Sequence, residues 1–271
     1  MGKIALIADI HANYEALEAV LQDIKKNKDI DYILSLGDNV GYGPDPTVVL
    51  RTLYSNNICS IEGNHDNAIV DLNEFKASGA HQAAINAIQW TRNQLAQECE
   101  NDAEFTTIAE QYFNTEPMIQ LEDDPSSIFV HGSPGPLECR FDYLIDPEDF
   151  FSAAQQMIAA NLHISFFAHT HEQGFWEVED GGVSSFDIEF YTPMTFAKDE
   201  IQDRVLFINP GAVGQPRDGN PNAAYAIYEY DDSRYSFTFC RVPYDIDTTV
   251  SKIYSIPELD DRLGDRLLRG K

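Results

Sequence analysis

Five short apolar runs, each followed by residues that carry nitrogen or oxygen donors, constrain this chain more than any other feature. Ile4 to Ala8 leads to Asp9-Ile10-His11, Tyr32 to Leu36 leads to Gly37-Asp38, and Ile58 to Ile61 leads to Gly63-Asn64-His65-Asp66. Ser126 to Val130 leads to His131-Gly132-Ser133-Pro134, and Ile164 to Ala168 leads to His169-Thr170-His171. Uncharged runs of this length read as buried strands, and open α/β folds gather functional side chains at the carboxyl ends of such strands. In an extended segment Asp9 and His11, two positions apart, share a face. His169 and His171 repeat that spacing. Gly63 permits a tight turn where the third run ends.

Between the runs the period becomes helical. Tyr14, Leu17, Val20, Leu21 and Ile24 mark an amphipathic helix. Asp45-Pro46 predicts an N-cap with proline at N1 and a helix to about Tyr54, and Asp146-Pro147 starts another to about Ala160. Strands alternating with helices predict a mostly parallel sheet with right-handed crossovers. The stretch from about Asn67 to Asp124 reads as a helical insertion, with Ala84, Ile88, Thr91 and Leu95 on one face and Phe105, Ile108 and Tyr112 on another. Because it starts directly after the Gly63 to Asp66 segment, it is expected to cover one side of a site there.

After Glu172 the texture is β-rich, with clusters at Phe175 to Val178, Val183 to Tyr191, Val205 to Ile208 and Ala223 to Tyr230. Ser233 to Val242 alternates Tyr235, Phe237 and Phe239 with polar residues, as a half-buried antiparallel strand does, so a second sheet is expected. Pro257 to Gly270 reads as a final helix ending at glycine. The fold class is therefore α/β, and the 271 residues are expected to form one domain.

Charge narrows the function. With 45 Asp and Glu against 18 Lys and Arg, the net charge is -27. Nucleic-acid backbones are bound by neutralising phosphates with Lys and Arg, so extended DNA or RNA binding is disfavoured. No apolar run approaches a membrane span. Met1-Gly2-Lys3 leads straight into a strand-like run without a signal-peptide pattern, which places the protein in the cytoplasm. Cys59, Cys99, Cys139 and Cys240 form no metal-type pair and read as reduced, buried thiols.

Asp9, His11, Asp38, Asn64, His131, His169 and His171 are then seven donors without a thiolate, a set that suits Mn, Fe, Zn, Co or Ni. Seven exceeds the needs of one ion. Two ions sharing Asp38 would each have four protein donors and room for water, as in a two-metal hydrolytic site. Two divalent ions outweigh the charge of Asp9 and Asp38, so such a site stays positive and attracts phosphate despite the acidic surface. Any one of these histidines alone would more often be structural, but five of the chain's seven fall at strand ends. His81 and His163 have no partner motif and read as structural or exposed. Arg140 and Arg217 lie in loops that could face the site and hold a phosphate oxygen. Trp90 and Trp176 read as core or rim residues.

Taken together, Asp9-x-His11, Gly37-Asp38, Gly63-Asn64-His65-Asp66, His131 and His169-Thr170-His171 resemble, in order and spacing, the motifs of the calcineurin-like metallophosphoesterase superfamily. Gly37-Asp-Asn-Val-Gly-Tyr-Gly-Pro, Asn209-Pro-Gly-Ala-Val-Gly-Gln-Pro-Arg-Asp-Gly and Leu267-Leu-Arg-Gly extend the resemblance to a compact prokaryotic branch. The resemblance implies a four-layer α/β/β/α sandwich of two mixed sheets flanked by helices. It implies hydrolysis of phosphomonoester or phosphodiester bonds at a dinuclear centre with a bridging hydroxide, manganese being the favoured metal. It assigns Asp9, His11, Asp38 and His171 to one ion and Asp38, Asn64, His131 and His169 to the other. His65 would contact the phosphate and assist the leaving oxygen, with Asp66 as the carboxylate that could sustain its protonation. Ala12 and Ala168 stand where the family often has glycine, and Glu172 to Arg204 is longer than this branch leads one to expect. Protein phosphatases of the superfamily carry Gly-Asp-x-Val-Asp-Arg-Gly, and the arginine is missing after Gly37-Asp38-Asn39-Val40. The expected partner is a small phosphorylated substrate: a monoester, a cyclic or linear diester, or a dinucleoside polyphosphate. Nuclease activity, a non-catalytic metal-binding scaffold and homo-oligomer formation stay open.

Overall fold

The architecture follows from which face of each strand is apolar. The computed structural model describes residues 1–27, 29–136 and 140–271, so the expectation for Cys139 lies outside the described residues. Strand β1 (Gly2–Ile7) pairs in parallel with β2 (Tyr32–Ser35), which pairs in parallel with β3 (Cys59–Ser60). On its other side β1 is antiparallel to β11 (Ala223–Tyr230), followed by β12 (Arg234–Val242) and β9 (Met194–Ala197). The second sheet runs β4 (Met118–Leu121), β5 (Asp124–Val130), β6 (Ile164–Phe166), β10 (Arg204–Asn209), β7 (Gly174–Glu179) and β8 (Gly182–Ser185). Both sheets are mixed rather than mostly parallel, because the β-rich second half adds antiparallel strands to each.

Three apolar layers result from period-two alternation. Ile4, Leu6 and Ala8 face Phe129, Phe166, Leu206, Ile208 and Phe237 between the sheets. Ala5 and Ile7 face outward, onto α1 (Tyr14–Ile24) and α2 (Pro46–Ser55). On the far side, Ile128, Val130, Val205 and Phe207 pack against Phe150, Ala153 and Met157 of α7 (Pro147–Ala159). The order helix, sheet, sheet, helix is the four-layer sandwich expected.

Several boundaries differ from the sequence expectation. The run Ile58 to Ile61 contributes only a two-residue strand, since after Ile61 the backbone of Glu62 bonds to the Glu116 carbonyl instead of the sheet. The helices α3 (Asn64–Val70), α4 (Leu72–Ala77), α5 (Gln82–Asn101) and α6 (Ala103–Phe113) end well before Asp124, and Met118–Leu121 is a strand paired with β5. Leu95, Phe105, Ile108 and Tyr112 share a core with α1 and α2, so these helices extend the outer layer. Val183 to Tyr191 is not one strand: pairing stops at Ser185, and Phe186 and Ile188 turn toward the inter-sheet core. Asp45 precedes α2 but makes no side-chain cap, its carboxylate being held by Lys252 at 2.8 Å. Two helices close the chain, α8 (Ile246–Ser255), which was not anticipated, and α9 (Asp261–Leu267), shorter than the tail helix expected. Cys240 is buried as expected, but Cys59 is exposed.

Candidate metal centre

The donor residues meet at one end of the sheets, though not by the geometry expected of extended strands. β1 ends at Ile7, and Asp9, His11, Asp38, His169 and His171 all adopt left-handed backbone conformations, with φ of 50°, 47°, 56°, 67° and 63°. Conformations of this kind in non-glycine residues cost on the order of 1–3 kcal/mol each and persist where the surroundings enforce them. For Asp9, His11 and Asp38 a ladder past the strand ends does so. Asp9, His11 and Ala12 donate their amides to the carbonyls of Gly37, Asp38 and Asn39 at 3.1, 2.9 and 2.9 Å.

Two groups of donor atoms result. Asp9, His11, Asp38 and His171 offer ligand atoms within 4.8 Å of one another, and so do Asp38, His131 and His169, with Asp38 common to both. Asn64 joins the second group, its Oδ1 3.1 Å from His131 Nε2. Nε2 of His11 and of His131 lie 3.6 and 3.5 Å from Asp38 Oδ2, and His171 Nε2 lies 3.4 Å from Asp9 Oδ1. Asp38 Oδ1 is occupied, accepting the His65 amide at 2.7 Å. Gly63 is required there, since a Cβ would collide with the Asp38 amide and carboxylate.

The far nitrogens decide what the near ones can do. His11, His131 and His171 place Nδ1 at 3.2, 2.7 and 2.6 Å from the carbonyls of Val40, Leu36 and Gln215. A carbonyl only accepts, so each Nδ1 carries a proton; on His11 and His171, which burial keeps neutral, Nε2 points a lone pair inward, and His131 offers the same nitrogen once its second proton is displaced. His11 Nε2 and His171 Nε2 are 3.1 Å apart, two lone pairs facing each other, and Asp9 Oδ1 is buried with no hydrogen-bond partner. Facing acceptors of this kind fit a cation between them. Burial holds His11, His169 and His171 well below the ordinary imidazole range. Burial opposes charge on His131 too, but the Asp38 carboxylate, Asp9 and the Leu36 carbonyl together lift it to about 9. Burial raises Asp9 to about 7, whereas Asp38, despite burial, is held well below the usual carboxylate range by His131, His65 and His11.

His65 stands beside these groups. Its ring lies 4.7 Å from that of His11, 4.4 Å from Tyr42 and 5.1 Å from Phe75. Its Nδ1 is buried without a partner, against Gly41, where a Cβ could not fit. Burial lowers His65 to about 4, so it is neutral near pH 7. Asp66 does not compensate: its carboxylate accepts from the Asn39 amide at 3.0 and 3.2 Å, the Asn39 side chain at 3.1 Å and the Val40 amide at 3.3 Å. Asp66 therefore positions the loop carrying Asp38.

A cavity of about 600 Å³ opens onto this centre, lined among others by Asp38, Asn64, His65, His169, His171 and Arg217. Phe75 and Ala84 of the helical segment form one wall, as expected of that segment, and Arg140 and Tyr143 form another. His81, expected to be structural or exposed, is exposed at the rim, and its ring caps α5 at the Ala83 amide. His163 is structural, bonded to the Arg204 carbonyl. Sequence reasoning missed the aromatic rings packed on the imidazoles, among them Tyr42 on His11 at 4.7 Å and Tyr143 on His169 at 3.9 Å. Nothing local in the sequence marks Tyr143; Tyr42 and Gln215 lay inside quoted motifs.

A family model described as the calcineurin-like phosphoesterase superfamily domain matches residues 2–233. The chain belongs to that superfamily. This calcineurin-like chain is 32% identical over 275 residues to an uncharacterized protein of Methanocaldococcus jannaschii, covering 99% of this chain and 98% of that one. Among solved structures it is similar to a metallophosphoesterase from Sphaerobacter thermophilus, with 31% identity, a TM-score of 0.71 and coverage of 100% and 99% of the two chains. A symmetrical bis(5′-nucleosyl)-tetraphosphatase of Erwinia tasmaniensis is 27% identical over 128 residues, 46% of this chain and 42% of that one. Among the described residues no helix of this phosphoesterase-family chain is long and apolar enough to cross a membrane.

Proposed function

We propose that this protein is a metal-dependent phosphoesterase that hydrolyses phosphomonoester or phosphodiester bonds of small phosphorylated substrates at a dinuclear centre, with manganese favoured. The observation that carries this reading is the pair of donor groups sharing Asp38, together with the facing Nε2 lone pairs of His11 and His171, whose Nδ1 atoms are committed to backbone carbonyls. Asp9, His11, Asp38 and His171 would hold one ion, and Asp38, Asn64, His131 and His169 the other. Carboxylate and amide oxygens mixed with imidazoles suit manganese among the transition metals. Bound there, divalent ions supply Lewis-acid stabilisation of phosphoryl oxygens and acidify a water toward neutral pH.

The chain's own residues set the rest of the chemistry. His65 is neutral, and with Nδ1 orphaned its proton belongs on Nε2, because burying an N–H without an acceptor costs more than burying a lone pair. It then donates a hydrogen bond to the leaving oxygen, where charge develops. Its backbone amide meanwhile fixes the Asp38 carboxylate. The similarity to a tetraphosphatase supports dinucleoside polyphosphates as an alternative substrate class. Nuclease action is disfavoured by the charge of -27, and a scaffold without activity by the presence of all seven donors.

Purified protein loaded with manganese should be screened against a phosphomonoester, a cyclic diester, a linear diester and a dinucleoside polyphosphate, alongside elemental analysis. Full metal loading with no turnover of any class sinks the enzymatic reading. A single ion at saturation sinks the dinuclear one.

A further inference from the structure

Of the two arginines lining the cavity, Arg140 is engaged by Glu62 at 3.1 Å and Glu74 at 3.7 Å. Arg217 differs. Among the described residues no carboxylate pairs with it, although the chain carries 45 acidic residues, and its neighbour Asp218 is paired with Arg241. The Arg217 guanidinium donates through Nη2 to the neutral Gln215 Oε1 at 3.0 Å and stands 5.9 Å from the centre of the Tyr42 ring. Its Nε is buried with no hydrogen-bond partner. A buried donor on a cation is costly to leave unmade, and an anionic oxygen is the partner that completes it.

The position of Arg217 is tied to the metal centre. Its amide donates to the His171 carbonyl at 3.1 Å, while the Gln215 carbonyl accepts from His171 Nδ1 at 2.6 Å. One short segment thus orients a donor imidazole and places a guanidinium on the wall of the same cavity. Arg266 of α9 stands behind it, its guanidinium held below the ordinary arginine value by burial first and then by the Arg217 charge. This wall is positive in a strongly negative chain.

Building on the phosphoesterase reading, we propose that Arg217 binds nonbridging oxygens of the substrate's phosphoryl group and makes the site selective for phosphomonoesters. At neutral pH a monoester is a dianion with three free oxygens, whereas a diester is a monoanion with two. The guanidinium fork engages two oxygens at once and rewards the additional charge and oxygen. Asp142 at the cavity wall repels further anionic groups, so the preferred substrate carries one phosphate.

The test compares Arg217→Gln and Arg217→Lys with wild type, all loaded with manganese, on 4-nitrophenyl phosphate and bis(4-nitrophenyl) phosphate. Arg217→Gln should lower kcat/KM about 10- to 100-fold on the monoester, the size of one charge-assisted hydrogen bond, and much less on the diester. Arg217→Lys should recover part of the monoester loss. Equal losses on both esters would overturn the selectivity, and loss of metal from Arg217→Gln would reassign the residue to holding His171. Calorimetric titration with inorganic phosphate separates this inference from the phosphoesterase reading. If wild type hydrolyses neither ester yet binds phosphate that Arg217→Gln does not bind, the enzymatic reading falls and the anion site stands. Equal phosphate affinity in the two proteins overturns the anion site whatever the activity.

Discussion

The two donor groups that share Asp38 are built to different standards of rigidity. In the first, both imidazoles are pinned at Nδ1 by the Val40 and Gln215 carbonyls, two carboxylates take part, and all four residues hold left-handed backbone conformations, three of them tied together by the loop ladder. In the second, His131 is pinned by Leu36, but Asn64 is the first residue of α3 and brings a neutral oxygen. The His169 ring has no hydrogen bond among the described residues, and Tyr143, itself 47% exposed, lies over it. The first group is preorganised by backbone and the second is partly held from the surface. The second should therefore bind its ion more weakly.

Asp38→Asn is the largest test, because it removes the carboxylate common to both groups. Metal content should fall for both ions and activity should drop by at least about a thousandfold, several kcal/mol of transition-state stabilisation. Retention of one full ion by elemental analysis would show that the groups are separable and break the comparison.

His65→Ala is next and should leave both ions in place, since its ring ligates neither group. Turnover should fall ~100- to 10,000-fold for substrates with poor leaving groups. The loss should shrink for nitrophenol esters, whose leaving anion needs little help. Equal losses for good and poor leaving groups would assign His65 to phosphate binding, and metal loss would place it among the ligands.

The stability of the metal-free protein should peak near pH 6.5. Folding holds His11, His65, His169 and His171 below the ordinary 6.5, so between about pH 4 and 6.5 the unfolded chain binds four protons that the folded one does not. Against them, the folded chain retains two on Asp9 and Asp66, raised by burial to about 7 and about 8. The unfolded state thus binds more protons, and stability rises with pH. Above 6.5 the sign reverses. Asp9, Asp66 and His131, the last at about 9, keep protons the unfolded chain has lost, so stability falls as pH climbs through 7 to 9. Denaturant titrations across this range check the peak, and metal loading should flatten the alkaline fall by displacing the protons of Asp9 and His131. A monotonic profile for the metal-free protein would contradict the burial assigned to these groups.

The contrast between the groups also explains what was legible in the sequence. The donors were legible because each follows an apolar run that can only be a buried strand, and chain order brings such ends together. The inference that Asp9 and His11 converge was right, but its reason was not, since left-handed backbone is imposed by hydrogen bonds to residues 37–39 that no local pattern announces. The end of the helical segment was missed because Met118 to Leu121 is too short to show alternation and becomes a strand only by pairing with β5. Helix α8 was legible and overlooked: Asp245 caps it, and Ile246, Thr249, Val250 and Ile253 recur at helical spacing. The distinct state of Arg217 could not be read, since it depends on Asp218 pairing with Arg241 on another strand.

Tyr143→Ala is the smallest and most local test of the comparison. The Tyr143 ring lies 3.9 Å from that of His169 at 18° between planes, and stacking of this kind is worth ~0.5–1.5 kcal/mol beyond the area it buries. Removing it leaves His169 without the stacked Tyr143 ring and frees rotamers that do not aim at Asp38. The second ion should loosen about 2- to 10-fold. The first, pinned by backbone carbonyls remote from Tyr143, should be unaffected. Tyr143→Phe keeps the ring and should behave as wild type, separating the stack from the hydroxyl. Chelator titration with metal analysis at each step reads both ions in one experiment, the weaker departing first in wild type and earlier still in Tyr143→Ala. If the two ions leave together in every protein, the groups are equally rigid, and the difference between backbone-pinned and surface-held donors has no energetic consequence.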